Sequence, residues 1–273
     1  MNISAHLRFG TLESKFMSEP PSLSLAGRGV LVTGASSGIG RAIALAMARA
    51  GADVAVTYRT NRTGADAVAR DIQALGRTVC VQALDLADEA AINQVGPTVR
   101  AALGRLDVWV NNAGADILTE PGASLSTVQK LDLLLAVDLR GTILASWAAA
   151  RFFAGQQGGV IINMSWDHVV SGMAGTNPQM YAAVKGGVAS FSRGLARSVA
   201  PQVRVNVLAP GWIETAFGEG LDAEVYRSVA DSTPLRRWGT PDDVAGAAVF
   251  LASPAAAFIT GQTIMIGGGV VMG

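Results

Sequence analysis

Short apolar runs recur along this chain, and longer stretches with helical spacing separate them. Val30 to Thr33, Val54 to Tyr58, Val79 to Ala83, Leu106 to Val110, Val160 to Met164, Arg204 to Leu208 and Thr263 to Ile266 read as buried strands. Between them, apolar residues spaced three and four apart predict helices. These run over Arg41 to Ala50, Gly64 to Leu75, Glu89 to Leu103, Ser126 towards Phe153, and Tyr181 to Ala200. Ser126-Thr127-Val128-Gln129 has capping-box spacing. Thr240-Pro241-Asp242-Asp243 sets a cap, a first-turn proline and two acids ahead of a further helix. Apolar strands alternating with helices imply a parallel sheet covered on both faces. The expected fold is α/β: a Rossmann-type doubly wound parallel sheet of about seven strands, with helices on both faces. There is no internal repeat, and residues 26–273 read as one domain. Residues 1–25, ending near Pro20-Pro21, read as a flexible N-terminal arm without the apolar stretch of a signal peptide.

Composition narrows the function. Of 273 residues, 50% are hydrophobic and 15% charged, enough apolar material for a large core. The 21 basic and 21 acidic residues balance without charge runs, which argues against nucleic acid or an anionic membrane as partner. No apolar run reaches the roughly 18 residues of a membrane span. One cysteine, Cys80, rules out an internal disulfide framework and fits a reducing, cytoplasmic compartment. It is expected as a small core residue in the third strand. With two histidines and one cysteine, no metal-ligand cluster is expected.

In such sheets ligands bind beyond the carboxyl ends of the strands. Six polar or glycine-rich groups stand there: 34–40, 58–59, 85–86, 111–114, 165–168 and 210–215. Gly34-x-x-x-Gly38-x-Gly40 lies between a strand and a helix. Glycine permits close backbone approach, and a helix N-terminus attracts a pyrophosphate. Tyr181-x-x-x-Lys185 places a cation one helical turn from a phenol, where it favours the phenolate and tunes proton exchange.

With Thr33-Gly34-x-x-x-Gly38-x-Gly40, Asn111-Asn112-Ala113-Gly114, Tyr181-x-x-x-Lys185 and Pro210-Gly211-x-Ile213-x-Thr215 in order, the chain resembles the short-chain dehydrogenase/reductase family from about Gly29 to Gly269. The likeness implies hydride transfer between a nicotinamide cofactor and a small carbonyl/alcohol compound. It implies Tyr181 as proton donor or acceptor, and Lys185 lowering its pKa and holding the nicotinamide ribose. Gly34, Ser36, Gly38 and Ile39 would line the pyrophosphate and ribose, and Asp85 would meet the adenine. Asn112 and Gly114 would follow the riboses, and Ile213 and Thr215 the carboxamide. A narrower version is a 3-oxoacyl-carrier-protein reductase. A different class is a catalytically weakened dinucleotide-binding sensor or scaffold. A homo-oligomer, most simply a tetramer, is expected, with Trp147 and Phe191 among the apolar residues left over for an interface.

Two departures stand out. The family's helix asparagine is replaced by Asp138, whose carboxylate would alter the field around Lys185. The family's Ser-Ser pair, whose second serine polarises the carbonyl, is replaced by Ser165-Trp166-Asp167-His168. Ser165 is the leading hydroxyl, although strand alternation can turn it away. His168, 13 residues before Tyr181, is its rival. For the cofactor, Arg59 ends the second strand, with no carboxylate before Asp66. Arg59, assisted by Asn61, Arg62 or Ser36, would pair with a 2′-phosphate, so NADP(H) is expected over NAD(H). Trp166, Trp212 and Phe217 suggest an apolar or aromatic substrate.

Overall fold

The computed structural model describes residues 22–215 and 222–272. Within them, each predicted strand forms: β1 (Gly29–Val32), β2 (Asp53–Tyr58), β3 (Val79–Ala83), β4 (Val108–Asn111), β5 (Gly159–Met164), β6 (Val203–Pro210) and β7 (Thr263–Ile266). They make one seven-stranded sheet in the order 3-2-1-4-5-6-7, and every pairing is parallel. The chain reverses its winding between β1 and β4, so the carboxyl ends of those strands open the crevice where a dinucleotide fits.

Strand alternation divides the core between the two faces of the sheet. Val30 and Val32 of β1 pack on one side with Ile43 and Met47 of α1 (Gly38–Arg49), Val68 and Ile72 of α2 (Arg62–Ala74), and Val244 and Leu251 of a late helix. Leu31 faces the other side, with Ile92 and Val99 of α3 (Glu89–Leu103), Trp109, and residues of the next long helices. Cys80 is only half-buried, because β3 is an edge strand and one flank lacks a neighbour.

Ser126 caps the rod that follows β4, with the expected reciprocal bonds to Gln129. The rod is not uniform. It comprises α4 (Thr127–Leu134), a π-helical stretch Leu135–Gly141, and α5 (Thr142–Ala154). The wider turn accommodates one residue more than an α-helix does, and Asp138 lies within it. Over its 28 residues the rod is long and apolar enough to cross a membrane, but 56% of its most apolar window is buried within this domain. Its Phe153 is fully buried under β5.

Between the rod, β4, β5 and α6 (Thr176–Val199) runs a buried polar chain. Trp109 Nε1 donates to Asn111 Oδ1 at 2.9 Å, and Asn111 Nδ2 donates to Asn163 Oδ1 at 2.8 Å and to Ser146 Oγ at 3.0 Å. Asn163 Nδ2 in turn donates to Ser192 Oγ at 2.9 Å. Each buried amide thus has partners, which keeps its desolvation from opposing the fold.

Three boundaries differ from the pattern. Helix α6 begins five residues before Tyr181, and Pro178 is tolerated in its first turn, where no intrahelical N–H is required. Leu25 is 1% exposed and its N–H donates to Ala50 O at 2.8 Å, so the end of the expected arm belongs to the core; residues 1–21 lie outside the described residues. An additional helix, α7 (Ala223–Ser232), precedes α8 (Pro241–Ala252). None of its residues is buried. It is tied down by its neighbour Trp238, whose ring stacks on Tyr226 at 4.9 Å and whose Nε1 donates to Tyr226 O at 2.9 Å. Phe217 lies outside the described residues.

Candidate active site

The glycine loop is built from backbone contacts that admit no side chain. Gly34 and Gly38 have φ of +62° and +53°, values that favour glycine. A Cβ on Gly40 would overlap Gly34 O and Asn112 Nδ2. Asn112 Nδ2 donates to Thr33 O and Gly34 O at 3.0 and 3.2 Å, and Thr33 Oγ1 accepts the N–H groups of Asn112 and Ala113, both at 3.0 Å. Thr33, read as part of the motif but given no role there, is a site-building residue. Its hydroxyl welds the end of β1 to the end of β4. The Asn112 side chain is thereby committed to the loop itself.

Ser37 precedes α1 without making a side-chain capping bond, which leaves the first-turn N–H groups of Gly38, Ile39 and Gly40 without a side-chain acceptor among the described residues. Thr215, after β6, approaches the open flank of Gly38, where a Cβ would meet its methyl at 3.9 Å. Ser36 is half-buried on the same loop, and Ile213 is buried where it bridges to Gly239. Asp85, beyond β3, accepts Ala87 N at 2.9 Å. Arg59 is exposed at the end of β2 and holds no ion pair among the described residues, whereas Arg62 pairs with Asp66 at 3.1 Å. Glycine backbone, uncapped helix amides and a cationic strand end converge on one crevice. They fit the phosphates and ribose of a dinucleotide.

The chemistry-bearing groups lie deeper. Tyr181 is half-buried on α6, and Lys185 Nζ lies 5.4 Å from the centre of its ring. Lys185 is 4% exposed and Asp138 fully buried, and the two form an ion pair at 2.8 Å. The other Asp138 oxygen accepts Ala115 N at 2.8 Å. A Cβ on Gly114 would come within 2.8 Å of Asp138 Oδ1, so this glycine makes room for the carboxylate. Burial alone would pull the Lys185 ammonium down, but the Asp138 charge more than offsets it and the group stands above the ordinary lysine range.

Lys185 acts on Tyr181 in the expected direction, but it is outweighed in this structure. Burial raises the phenol, Lys185 lowers it, and the charges of Asp138 and Asp116 raise it again. The result lies above the ordinary tyrosine value, chiefly because of burial, with Asp138 and Asp116 opposing the lysine's field. Asp116, another residue missed in the motifs, is an exposed loop carboxylate held by the N–H groups of Leu118 and Thr119 at 2.8 and 3.0 Å.

Ser165 is turned away from this site. Its hydroxyl, 5% exposed, donates its single proton to Lys185 O at 2.8 Å. Strand alternation is the reason: the next residue, Trp166, takes the opposite direction and meets the Tyr181 ring edge-on at 5.5 Å. His168 stacks on Trp166 at 4.8 Å and meets Trp212 edge-on at 6.2 Å. The structure therefore brings Tyr181, Lys185 and Asp138 together, with Trp166 between the tyrosine and His168.

Comparison with known proteins gives this arrangement its family. Residues 34–271 match the family profile described as enoyl-(acyl carrier protein) reductase. A 3-oxoacyl-[acyl-carrier-protein] reductase of Synechocystis sp. is 40% identical over 253 residues, covering 91% of this chain and 99% of that protein. A 7α-hydroxysteroid dehydrogenase complexed with NADH and 7-oxo-glycochenodeoxycholic acid is 30% identical at a TM-score of 0.82, covering 92% of this chain and 97% of its own. A gluconate 5-dehydrogenase from Burkholderia cenocepacia, in complex with NADP and tartrate, is 33% identical at a TM-score of 0.80, covering 91% and 96%. Fold and site thus define a nicotinamide-dependent oxidoreductase of CH–OH groups. The chain belongs to the short-chain dehydrogenase/reductase family.

The buried ion pair makes a stability prediction. Asp138→Ala leaves the Lys185 ammonium buried without a counter-charge and is expected to lower the unfolding free energy by about 3–5 kcal/mol. A urea titration measures it, and a loss under 1 kcal/mol would contradict the pairing.

Proposed function

We propose that the chain reduces a carbonyl compound at the expense of NADPH, with Tyr181 as the proton donor. The observation that carries this reading is the half-buried Tyr181 beside the Asp138-neutralised Lys185. Bound nicotinamide supplies hydride to the carbonyl carbon. Tyr181 Oη then gives its proton to the carbonyl oxygen, which becomes the alcohol hydroxyl. Lys185, held by Asp138, steadies the negative charge left on the phenol. A phenol raised above its ordinary value stays protonated at neutral pH, which suits reduction. Oxidation needs the phenolate, so its rate rises with pH.

Arg59 supports NADPH, since it is an exposed cation at the end of the second strand whose planar fork suits a 2′-phosphate. The aromatic wall of Trp166, His168 and Trp212 supports a planar or apolar carbonyl compound. Reduction of a 3-oxoacyl thioester on a carrier protein is the narrower reading, favoured by the Synechocystis relative. A sensor without turnover is disfavoured by the intact Tyr181–Lys185 pair. A homotetramer is supported by Trp147, 47% exposed and edge-on to Phe191 at 5.9 Å, an apolar patch suited to a copy of itself. The unpaired Cys80 is consistent with a cytoplasmic location.

Tyr181→Phe is expected to abolish ketone reduction while retaining NADPH binding, since only the transferable proton is lost. Residual turnover above a few per cent of wild type would overturn its role. Asp138→Asn, which keeps an acceptor but removes the charge, is expected to move the alkaline limb of the reduction profile to lower pH. An unmoved limb would refute the field argument.

For the cofactor, kcat/KM is expected to favour NADPH over NADH by about 1.5–3 kcal/mol, the scale of one charge-assisted contact. Arg59→Ala should collapse that ratio; preference for NADH in the wild type would exclude this role. Sedimentation at micromolar concentration is expected to give a tetramer, and a monomer would remove the interface.

A further inference from the structure

The turn after β5 holds a polar pair that the mechanism above does not use. Asp167 is fully buried, and its Oδ1 lies 2.6 Å from His168 Nδ1. Its Oδ2 has no hydrogen-bond donor among the described residues. That oxygen is pressed against the backbone beyond β6 and β7, where a Cβ on Gly211 would come within 2.5 Å and one on Gly267 would overlap it. Two glycines therefore make a niche for a carboxyl group and offer it nothing to bind. An aspartate so placed is a costly way to hold a turn. The carboxyl instead fixes one nitrogen of a ring that stacks on Trp166 at 4.8 Å and 21° and meets Trp212 edge-on at 6.2 Å.

We infer that the Asp167–His168 pair takes the place of the serine hydroxyl at the substrate oxygen, His168 Nε2–H donating the hydrogen bond and Asp167 acting as its positioning residue. This rests on the reading of the site as a carbonyl reductase. Two observations carry it. Ser165, the hydroxyl that directly follows β5, spends its proton on Lys185 O. And His168 and Tyr181 both contact the same indole, Trp166, the imidazole stacked at 4.8 Å and the phenol edge-on at 5.5 Å.

The protonation follows from burial. A bare carboxylate with one oxygen unpartnered is penalised by desolvation, and burial does push the Asp167 carboxyl up while His168 pulls it down. The pair is cheapest when it is uncharged as a whole, with one proton between Oδ1 and Nδ1. The second ring proton then sits on Nε2, and the nitrogen facing away from Asp167 is a donor. A carboxyl group that sets the tautomer of an imidazole is the same device that orients histidine in hydrolytic triads, here used to present a donor rather than a base.

The test uses the purified enzyme, NADPH and a panel of aromatic and aliphatic ketones. His168→Ala is expected to lose about 100- to 1,000-fold in kcat, the scale of an oxyanion donor. The loss should exceed that of Ser165→Ala at least tenfold. His168→Gln, which keeps a side-chain N–H, should recover part of it. A His168→Ala rate within threefold of wild type, with Tyr181→Phe inactive, would overturn the inference and leave the reductase reading standing. Wild type that binds NADPH and turns over nothing would sink the reductase reading instead.

The pair itself is read without turnover. The chain has two histidines, His6 and His168, so 15N-labelled histidine gives a two-residue spectrum. His168 is expected to show a far-downfield Nδ1 proton and a protonated Nε2 in the wild type. Asp167→Asn should abolish the downfield signal and lower kcat with little change in KM for NADPH. An Nε2 without a proton in the wild type, or a spectrum indifferent to Asp167→Asn, would refute the assignment.

Discussion

The Asp138–Lys185 ion pair is the interaction on which the site depends. It joins the π-helical turn of the long rod to the middle of α6, one helical turn from Tyr181. Both partners are out of water, so neither can lose the other cheaply. The carboxylate also accepts Ala115 N and requires the glycine at 114, which ties the loop after β4 to the same point. Rod, loop and helix are thus positioned by one charge pair. The same pair sets the chemistry. Burial raises the Tyr181 phenol, Lys185 lowers it, and the charges of Asp138 and Asp116 oppose the lysine.

Around that point the structure uses backbone more than side chains. The glycine loop is closed by Thr33 and Asn112, whose hydrogen bonds run to main-chain atoms of β1 and β4. That leaves the first-turn amides of α1 available to an anion and keeps the crevice narrow. On the opposite side the wall is aromatic. Trp166, His168, Trp212 and Trp238 pack in sequence, and Tyr226 on the otherwise exposed α7 stacks onto the last of them. A helix with no buried residue of its own is held against the site by that stack.

Much of this was legible in the residues. All seven strands follow from apolar runs of the right length, and the capping signals at Ser126 and Thr240 mark helix starts because those side chains satisfy local backbone donors. Tyr181 and Lys185 share a helix face by spacing alone. The start of α6 was not legible, since a proline three residues before the tyrosine looks like a break until it is placed in a first turn. Helix α7 was not legible either, because its support comes from Trp238 on a later segment.

What the sequence determined by itself is therefore local: the period of each element, the turn chemistry, and the order of the motifs along one sheet edge. What only the tertiary structure decided is which side chains face one another. Asp138 and Lys185 are 47 positions apart by their numbers; the family resemblance puts the carboxylate in the lysine's field, but only the fold makes it a direct ion pair at 2.8 Å. Ser165 carries the expected hydroxyl, yet its direction is set by the pleat of β5 and by a carbonyl that α6 brings alongside. Asp167 reads as a loop acid, and becomes a buried partner of His168 only because Gly211 and Gly267 arrive from two other strands. Direction and burial are properties of packed surfaces, and they arise when segments distant in the chain meet.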